Sequence, residues 1–202
     1  MTVDPSNIPK SLTRDQIEYW ILFTIAVAGK GAAQTAKKMQ QLMLIDDAPS
    51  PFAKIKAIAA YGTLDFCLRL IRFGQYKRIE KAFGAVVELD IDALAQAEPR
   101  EALHTLMAIP GIGPKSARMI LMYSFEHHKD LWVPLDTHVL KWLRAKGYTA
   151  PVSTPQTSST YEKLEGWFRI EAIKRGLSMA ELDTRVWQSY AENGGDLSWD
   201  TF

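Results

Sequence analysis

Residues 106 to 121 read LMAIPGIGPKSARMIL, and this stretch decides the fold. Its apolar residues recur at spacings that let two helices share a buried seam around a short turn. Gly111 and Gly113 can take positive φ and let a phosphate approach the backbone, while Ile112 plugs the turn into the seam. Pro114 suits the first position of the second helix, whose unpaired N–H groups favour an anion. The pattern therefore predicts a helical hairpin that binds a phosphate through its backbone.

The predicted phosphate contacts come from the turn and from the first residues of the second helix. An ordinary helical hairpin with a glycine turn is the alternative interpretation of the same pattern. The residues assigned to phosphate binding are Pro110, Gly111, Ile112, Gly113, Lys115 and Ser116.

Lys115 and Asp136 are the residues that suggest chemistry, and they lie 21 positions apart. An amine attacks a sugar carbon only when it is neutral, and the positive end of a helix dipole favours the neutral form. A carboxylate stabilises the positive charge that develops on a sugar as its glycosidic bond breaks. Two simpler roles remain open, in which Lys115 is a surface lysine that contacts a phosphate and Asp136 is only a helix N-cap.

The sequence GIGPK at residues 111 to 115, followed by DTH at 136 to 138, resembles the helix-hairpin-helix DNA glycosylase superfamily. The likeness is sharp from residue 106 to 144 and extends in outline from 15 to 193. It implies that Lys115 forms a Schiff base, that Asp136 is the essential carboxylate and that His138 orients the turn through a hydrogen bond. A base that undergoes this reaction must first rotate out of the stacked duplex.

One branch of that superfamily is closest in outline. The segment ELDTRVWQSYAENGG at 181 to 195 looks most like the compact archaeal-type 8-oxoguanine glycosylases, which implies 8-oxoguanine as substrate and an AP-lyase step by β-elimination. Trp187 then matches a tryptophan that stacks on the extruded base, although core packing would also explain it. The chain departs from that branch at its C-terminal end, which runs on through Trp199 and Phe202 instead of ending in a lysine.

Further residues are candidates for lining the base pocket or for filling the gap that the base leaves in the duplex. Phe73 is the nearest match to a second stacking aromatic, and Gln75 and Tyr76 precede or open a helix where the family places wedging residues. Trp199 and Phe202 could supply a different stacking surface. Alternative functions are the removal of another damaged base, or non-catalytic DNA binding and damage sensing, for which neither Lys115 nor Asp136 would be needed.

Composition limits how the protein can meet DNA. With a net charge of +1, binding requires a local basic patch and backbone donors, and residues 69 to 81 carry five basic residues against one acidic. A solvated helix face would give the same pattern. The expected partner is double-stranded DNA with a damaged base, bound by a monomer in the cytoplasm and associated with the nucleoid.

Cofactors are limited by the cysteine count. The single Cys67 excludes an internal disulfide and a four-cysteine iron–sulfur cluster, which the endonuclease III branch often carries. The four histidines do not make a metal site, so we expect no cofactor beyond a monovalent cation at the hairpin carbonyls when DNA is bound. The apolar run from 19 to 28 is too short to span a membrane, and no signal peptide is evident.

The predicted fold is all-α, with two lobes and an active-site cleft between them. The first lobe is a helical barrel over residues 30 to 125 that includes the hairpin at about 99 to 124. The second combines residues 1 to 29 with 126 to 202. Residues 124 to 132 and 150 to 160 are expected to be loops, with helices over 136 to 146, 161 to 175 and 179 to 193.

Overall fold

The computed structural model describes residues 12 to 193, and side chains from 12 to 190. Within this range the chain forms eleven α-helices and one short 3-10 helix and has no strand, so the all-α prediction is confirmed. The helices are α1 Arg14–Val27, α2 Ala32–Met43, α3 Pro51–Ala60, α4 Leu64–Leu70, α5 Tyr76–Val86, α6 Ile91–Gln96, α7 Pro99–Met107, α8 Pro114–Ser124, α9 Thr137–Ala145, α10 Ser158–Lys174 and α11 Met179–Asn193.

Helix α1 is the central helix of the larger core. It begins at a capping box in which the Thr13 side chain accepts from the Gln16 backbone N–H, and the Gln16 side chain accepts from the Thr13 N–H. Every residue from 17 to 26 is buried, which explains why the apolar run lacks a polar face. No helix in the described part of the chain is long and apolar enough to cross a membrane.

The buried side chains form two clusters. The first extends from α1 to Phe125 and the second from Val133 to Val186, in the helices α9 to α11. The predicted placement of residues 1 to 29 in the second lobe is wrong for α1, because its buried side chains belong to the first cluster and it packs against α2, α3, α5 and α8. A helix that is apolar all round needs neighbours on every side, and only the larger cluster provides them.

Two predicted loops contain more helix than expected. The segment between Ser124 and Trp132 includes a 3-10 helix, Glu126–His128. His128 is fully buried there, and burial lowers its pKa to about 4, with a smaller contribution from His127. The connector from 150 to 160 ends early because α10 begins at Ser158, after the N-cap Thr157. Serine and threonine favour such helix starts as much as loops.

A buried ion pair joins the two clusters. Arg118 Nε of α8 lies 3.1 Å from Glu165 Oε1 of α10, and each side chain is only 5% exposed. The guanidinium lies over the rings of Trp132, at 5.1 Å, and Tyr161, at 3.9 Å. Burial raises the pKa of Glu165 despite the neighbouring Arg118 charge. The pair therefore depends on its hydrogen bonds and aromatic neighbours as well as on charge.

Glu165 and its neighbour Tyr161 also fix the non-helical segment that leads to Asp136. Glu165 Oε1 accepts a hydrogen bond from Val133 N at 2.8 Å. Tyr161 Oη accepts from Leu135 N at 2.9 Å and donates to Val133 O at 3.0 Å. Without these bonds, the buried N–H groups of this non-helical segment would be unpaired. Asp136 therefore follows immediately after a rigidly held segment.

Candidate active site

The hairpin turn has the conformation its sequence predicts, with one difference. Gly111 has φ +86°, and a Cβ there would lie 3.0 Å from the Ala82 side chain, so any other residue would be strained. Ile112 is 5% exposed and belongs to the core. Gly113 has an ordinary φ of −95° and serves as N-cap of α8, so it does not use positive φ. A Cβ on Gly113 would meet nothing within 4 Å, which leaves its backbone open to a ligand.

The first backbone N–H groups of α8 have no capping side chain within the described part of the chain to accept their hydrogen bonds. No side chain of the described residues caps this helix, and Pro114 at its first position has no N–H. The next N–H groups belong to Lys115 and Ser116, and with no cap they are available to an anion. Ser116 as a whole is only 9% exposed, so it offers less to a ligand than Lys115 does.

Lys115 and Asp136 line the same cavity, which lies between the two clusters and has a volume of about 660 Å³. Its wall combines α1 and the turn after it, α8, residues 134 to 138 and α11. A cavity of this size suits a nucleotide-sized ligand. The residues that line it include Lys30, Lys115, Asp136, His138, Asp183 and Trp187.

Asp136 is the N-cap of α9, as its sequence position predicts. Its Oδ1 accepts from Val139 N at 2.9 Å, and its own N–H donates to Pro134 O at 2.6 Å. Among the described residues, Oδ2 makes no hydrogen bond. The cap therefore orients the carboxylate and leaves one oxygen for a ligand.

Trp187 and His138, both predicted to belong to the site, lie at the cavity wall, but His138 makes a different contact from the one predicted. Trp187 is half-buried and forms part of the wall, where a flat ring can meet a flat ligand. His138 also reaches the wall, but its ring stacks on Tyr190 with centroids 5.4 Å apart. Within the described residues the His138 side chain makes no hydrogen bond, so stacking replaces the orienting bond that we predicted.

Asp183 is a buried acid that sequence reasoning missed. It is 7% exposed and lines the cavity from α11. Burial and the Asp136 charge raise its pKa to about 8, against the opposing effects of Tyr123 and Lys115. Its position within the quoted segment at 181 to 195 was the available signal, because an acid among apolar helix positions is unusual.

Lys30 is a second missed residue, in the turn after α1. Its Nζ donates to Phe73 O at 2.9 Å and Gly74 O at 3.3 Å. Burial, with Arg78 and Lys38 nearby, lowers its pKa to about 8. The cavity thus contains a second amine, already engaged with backbone carbonyls.

Phe73 does not belong to the base pocket, and that prediction is wrong. It is 1% exposed and packs in the first cluster. Arg72 and Gly74 on either side both have positive φ, which turns the Phe73 side chain inward. Its link to the cavity is indirect, through its carbonyl and through Lys30, which lies 5.1 Å from the ring centroid.

Gln75 and Tyr76 open α5, as predicted, outside the cavity wall. Gln75 is exposed, has φ +52°, and accepts from Arg78 Nε at 2.7 Å. The Arg69 guanidinium lies 4.7 Å from the Tyr76 ring centroid. A wedging role for either residue stays a prediction.

Two other predictions concern the C-terminal aromatic residues and a metal site. Trp199 and Phe202 lie outside the described residues. Within the described range, no group of three histidine, cysteine, aspartate or glutamate side chains is arranged to hold a metal.

This architecture is the two-lobed helix-hairpin-helix DNA glycosylase fold, with its cleft between the lobes. The chain is similar to the 8-oxoguanine DNA glycosylase of Thermotoga maritima, with a TM-score of 0.69 at 18% identity over 91% of this chain and 82% of that one. It is also similar to the Methanocaldococcus jannaschii 8-oxoguanine glycosylase/lyase, solved with a 15mer DNA containing 8-oxoguanine. That TM-score is 0.68 at 19% identity, over 90% of this chain and 84% of the other.

Sequence comparison covers less of the chain. An N-glycosylase/DNA lyase of Arabidopsis thaliana is 39% identical over 59 residues, which are 29% of this chain and 15% of that protein. No protein-family model matches the chain.

Proposed function

We propose that this protein is a base-excision-repair DNA glycosylase with AP-lyase activity, and that it removes 8-oxoguanine from double-stranded DNA. The observation that carries the proposal is that Lys115 and Asp136 line one nucleotide-sized cavity beside the uncapped N-terminus of α8. The choice of base is supported by the likeness of the fold to 8-oxoguanine glycosylases and by Trp187 at the cavity wall.

DNA binding would begin at the hairpin. A phosphate would approach the open backbone of Gly113 and the N–H groups of Lys115 and Ser116, where the helix dipole adds to the attraction. This grip reads no sequence, so it would hold many sites equally. A monovalent cation at the hairpin carbonyls belongs to the same proposal and would make binding weaker in tetramethylammonium than in potassium chloride.

The reaction follows from the two side chains. The neutral amine of Lys115 would attack C1′ as the glycosidic bond breaks, and the electron pair of that bond would leave with the base. Asp136 would stabilise the positive charge on the sugar through its free oxygen. The secondary amine would then open the sugar ring to an imine. That imine makes the C2′ proton acidic, so the 3′ phosphate can leave by β-elimination.

Covalent trapping tests the imine directly. Borohydride added to the protein with a duplex that contains 8-oxoguanine should give a stable protein–DNA adduct, and Lys115→Gln should give none. Lys37→Gln, on the exposed surface of α2, is the matched control and should trap like the parent. An undiminished adduct in Lys115→Gln would contradict the assignment, and Lys30 would be the next amine to test.

A panel of duplexes tests the substrate. The panel contains 8-oxoguanine, uracil, an oxidised pyrimidine and an abasic site, each opposite all four bases. We expect base release to be fastest from 8-oxoguanine. If another base is released faster, the proposed reaction stands but the proposed substrate is wrong. If the protein binds DNA but releases no base and cleaves no strand, the damage-sensing alternative is favoured.

A further inference from the structure

Asp183 has no role in the reaction proposed above, although it lies in the same cavity. Tyr123 Oη of α8 donates to Asp183 Oδ2 at 2.6 Å and lies 3.2 Å from Thr184 Oγ1. Within the described residues, Asp183 Oδ1 makes no hydrogen bond. One oxygen of this acid is thus anchored, and the other has no protein partner.

The charged and titratable groups around Asp183 come from three helices. Lys115 and Tyr123 belong to α8, Asp136 caps α9, and Tyr161 lies in α10. Burial raises the Asp183 pKa most, Asp136 raises it further, and the result is about 8. A carboxyl group in this environment holds its proton at neutral pH.

We propose that Asp183 is the general acid that protonates the departing base. This inference rests on the proposed glycosylase function. As the Lys115 amine forms its bond to C1′, the bond between C1′ and the base breaks and its electron pair moves to the base. The Asp183 proton moves to the base, which leaves neutral. Asp183, now a carboxylate, then takes the proton that the new secondary ammonium releases, so its initial state is restored.

The two acids of the cavity would then divide the work. Asp136 is oriented by a hydrogen bond from the Val139 N–H, which leaves its other oxygen for the cationic sugar. Asp183 is buried, and burial outweighs the opposing effect of the hydrogen bond from Tyr123, which suits a proton donor. Two carboxyl groups in contrasting environments are a recurring arrangement for acid and electrostatic roles.

Two substrates separate this role from a structural one. Asp183→Asn should slow single-turnover base release about 100-fold, since general acid–base catalysis typically contributes factors of that order. The same variant should cleave a preformed abasic site within about twofold of the parent rate, because no base leaves in that reaction. An equal loss on both substrates, or no loss on either, would overturn the proposal.

The pH dependence supplies a second readout. Parent base release should fall as pH rises through about 8, where Asp183 loses its proton. Tyr123→Phe removes a hydrogen bond that lowers the Asp183 pKa, so the fall should move to higher pH. Base release by Asp183→Asn should show no such fall with pH. If Asp183→Asn does not fold, the shift of the pH profile in Tyr123→Phe still tests the proposal, because phenylalanine has nearly the shape of tyrosine.

Lys30 provides the matched control, because its pKa is also about 8. Lys30→Arg keeps a positive charge across this range, so the fall near pH 8 should persist in that variant. A fall that disappears in Lys30→Arg and persists in Asp183→Asn would overturn the assignment to Asp183. Parent protein that releases no base would instead contradict the proposed function itself.

Discussion

Charged side chains on the two sides of α8 differ in whether they are paired. On one side Lys115, Met119 and Tyr123 line the cavity of about 660 Å³. On the other, Pro114 and Arg118 line a second cavity of about 740 Å³. In the second cavity the buried charge of Arg118 is matched by Glu165. In the first, Lys115 forms no ion pair with any described residue, and Asp136 and Asp183 both line the wall.

This difference separates stability from chemistry along one helix. A buried charge that is fully paired holds elements together and has little left to offer a ligand. Groups that lack such partners raise the energy of the folded state and are the ones poised to react. Substitutions on the two sides should therefore have opposite signatures, and the predictions below test the contrast.

The largest effect is expected for Asp136→Asn, on the reactive side. Base release should fall about 10³-fold, or about 4 kcal/mol, because a charge beside the cationic sugar is lost. The melting temperature should stay within about 2 °C, since asparagine caps a helix as well as aspartate does. Single-turnover kinetics and calorimetry on the same preparation check both parts, and normal turnover would show that Asp136 is only a cap.

The second effect, on the paired side, should be almost entirely one of stability. Arg118→Met should cost about 3 kcal/mol of unfolding free energy, because Glu165 is left buried without its partner. Adding Glu165→Gln removes the orphaned charge and keeps an acceptor for Val133 N, so most of the loss should return. Urea denaturation of the single and double variants measures this, and a double variant no better than the single would contradict it.

Asp183→Asn should stabilise the protein while it slows base release. The folded-state pKa of Asp183 lies above the unfolded value, so the folded state keeps a proton that the unfolded state has lost between about pH 4 and 8. The parent therefore loses stability as pH rises through that window. A pKa difference of about four units corresponds to about 5 kcal/mol, so the variant should be more stable by about that amount at pH 8, with the gap closing near pH 4.

Thermal unfolding at several pH values measures that gap. Asp90→Asn, at the N-cap of α6, is the matched control and should show no comparable change. A gap that is constant with pH would indicate that the effect comes from packing.

The smallest effects separate the two glycines of the hairpin. Gly111→Ala should cost about 1–2 kcal/mol, because alanine pays for positive φ and meets the Ala82 side chain. Gly113→Ala should leave stability within about 0.5 kcal/mol, because its φ is ordinary and the space around it is open. DNA binding should nevertheless weaken in Gly113→Ala. Calorimetry and fluorescence anisotropy distinguish the two, and equal destabilisation would contradict the assigned roles.

Features that depend on neighbouring residues in the chain were predictable. The capping boxes at Thr13 and Ser178, the hairpin turn and the Asp136 cap all follow from local spacing, and the structure has each of them. Such motifs involve hydrogen bonds over three or four residues, so no tertiary information is needed.

Features set by tertiary contacts were not predictable in the same way. The Asp183 environment depends on Tyr123, 60 residues away, and on Asp136 from another helix. Phe73 is buried because of left-handed backbone at Arg72, a conformation that a residue with a side chain rarely adopts. The position of α1 depends on which cluster could surround an apolar helix, and the linear pattern does not specify that.

The ties at Val133 and Leu135 affect how substitution data on this protein should be interpreted. Because those backbone groups are held by Glu165 and Tyr161, a substitution that removes either acceptor would weaken the hold on the segment that leads to Asp136. A genetic screen at growth temperature would therefore score such positions alongside the reacting groups. Assays of purified variants well below their melting temperature would recover activity only where the defect is a smaller amount of folded protein, which separates loss of stability from loss of the proposed activity.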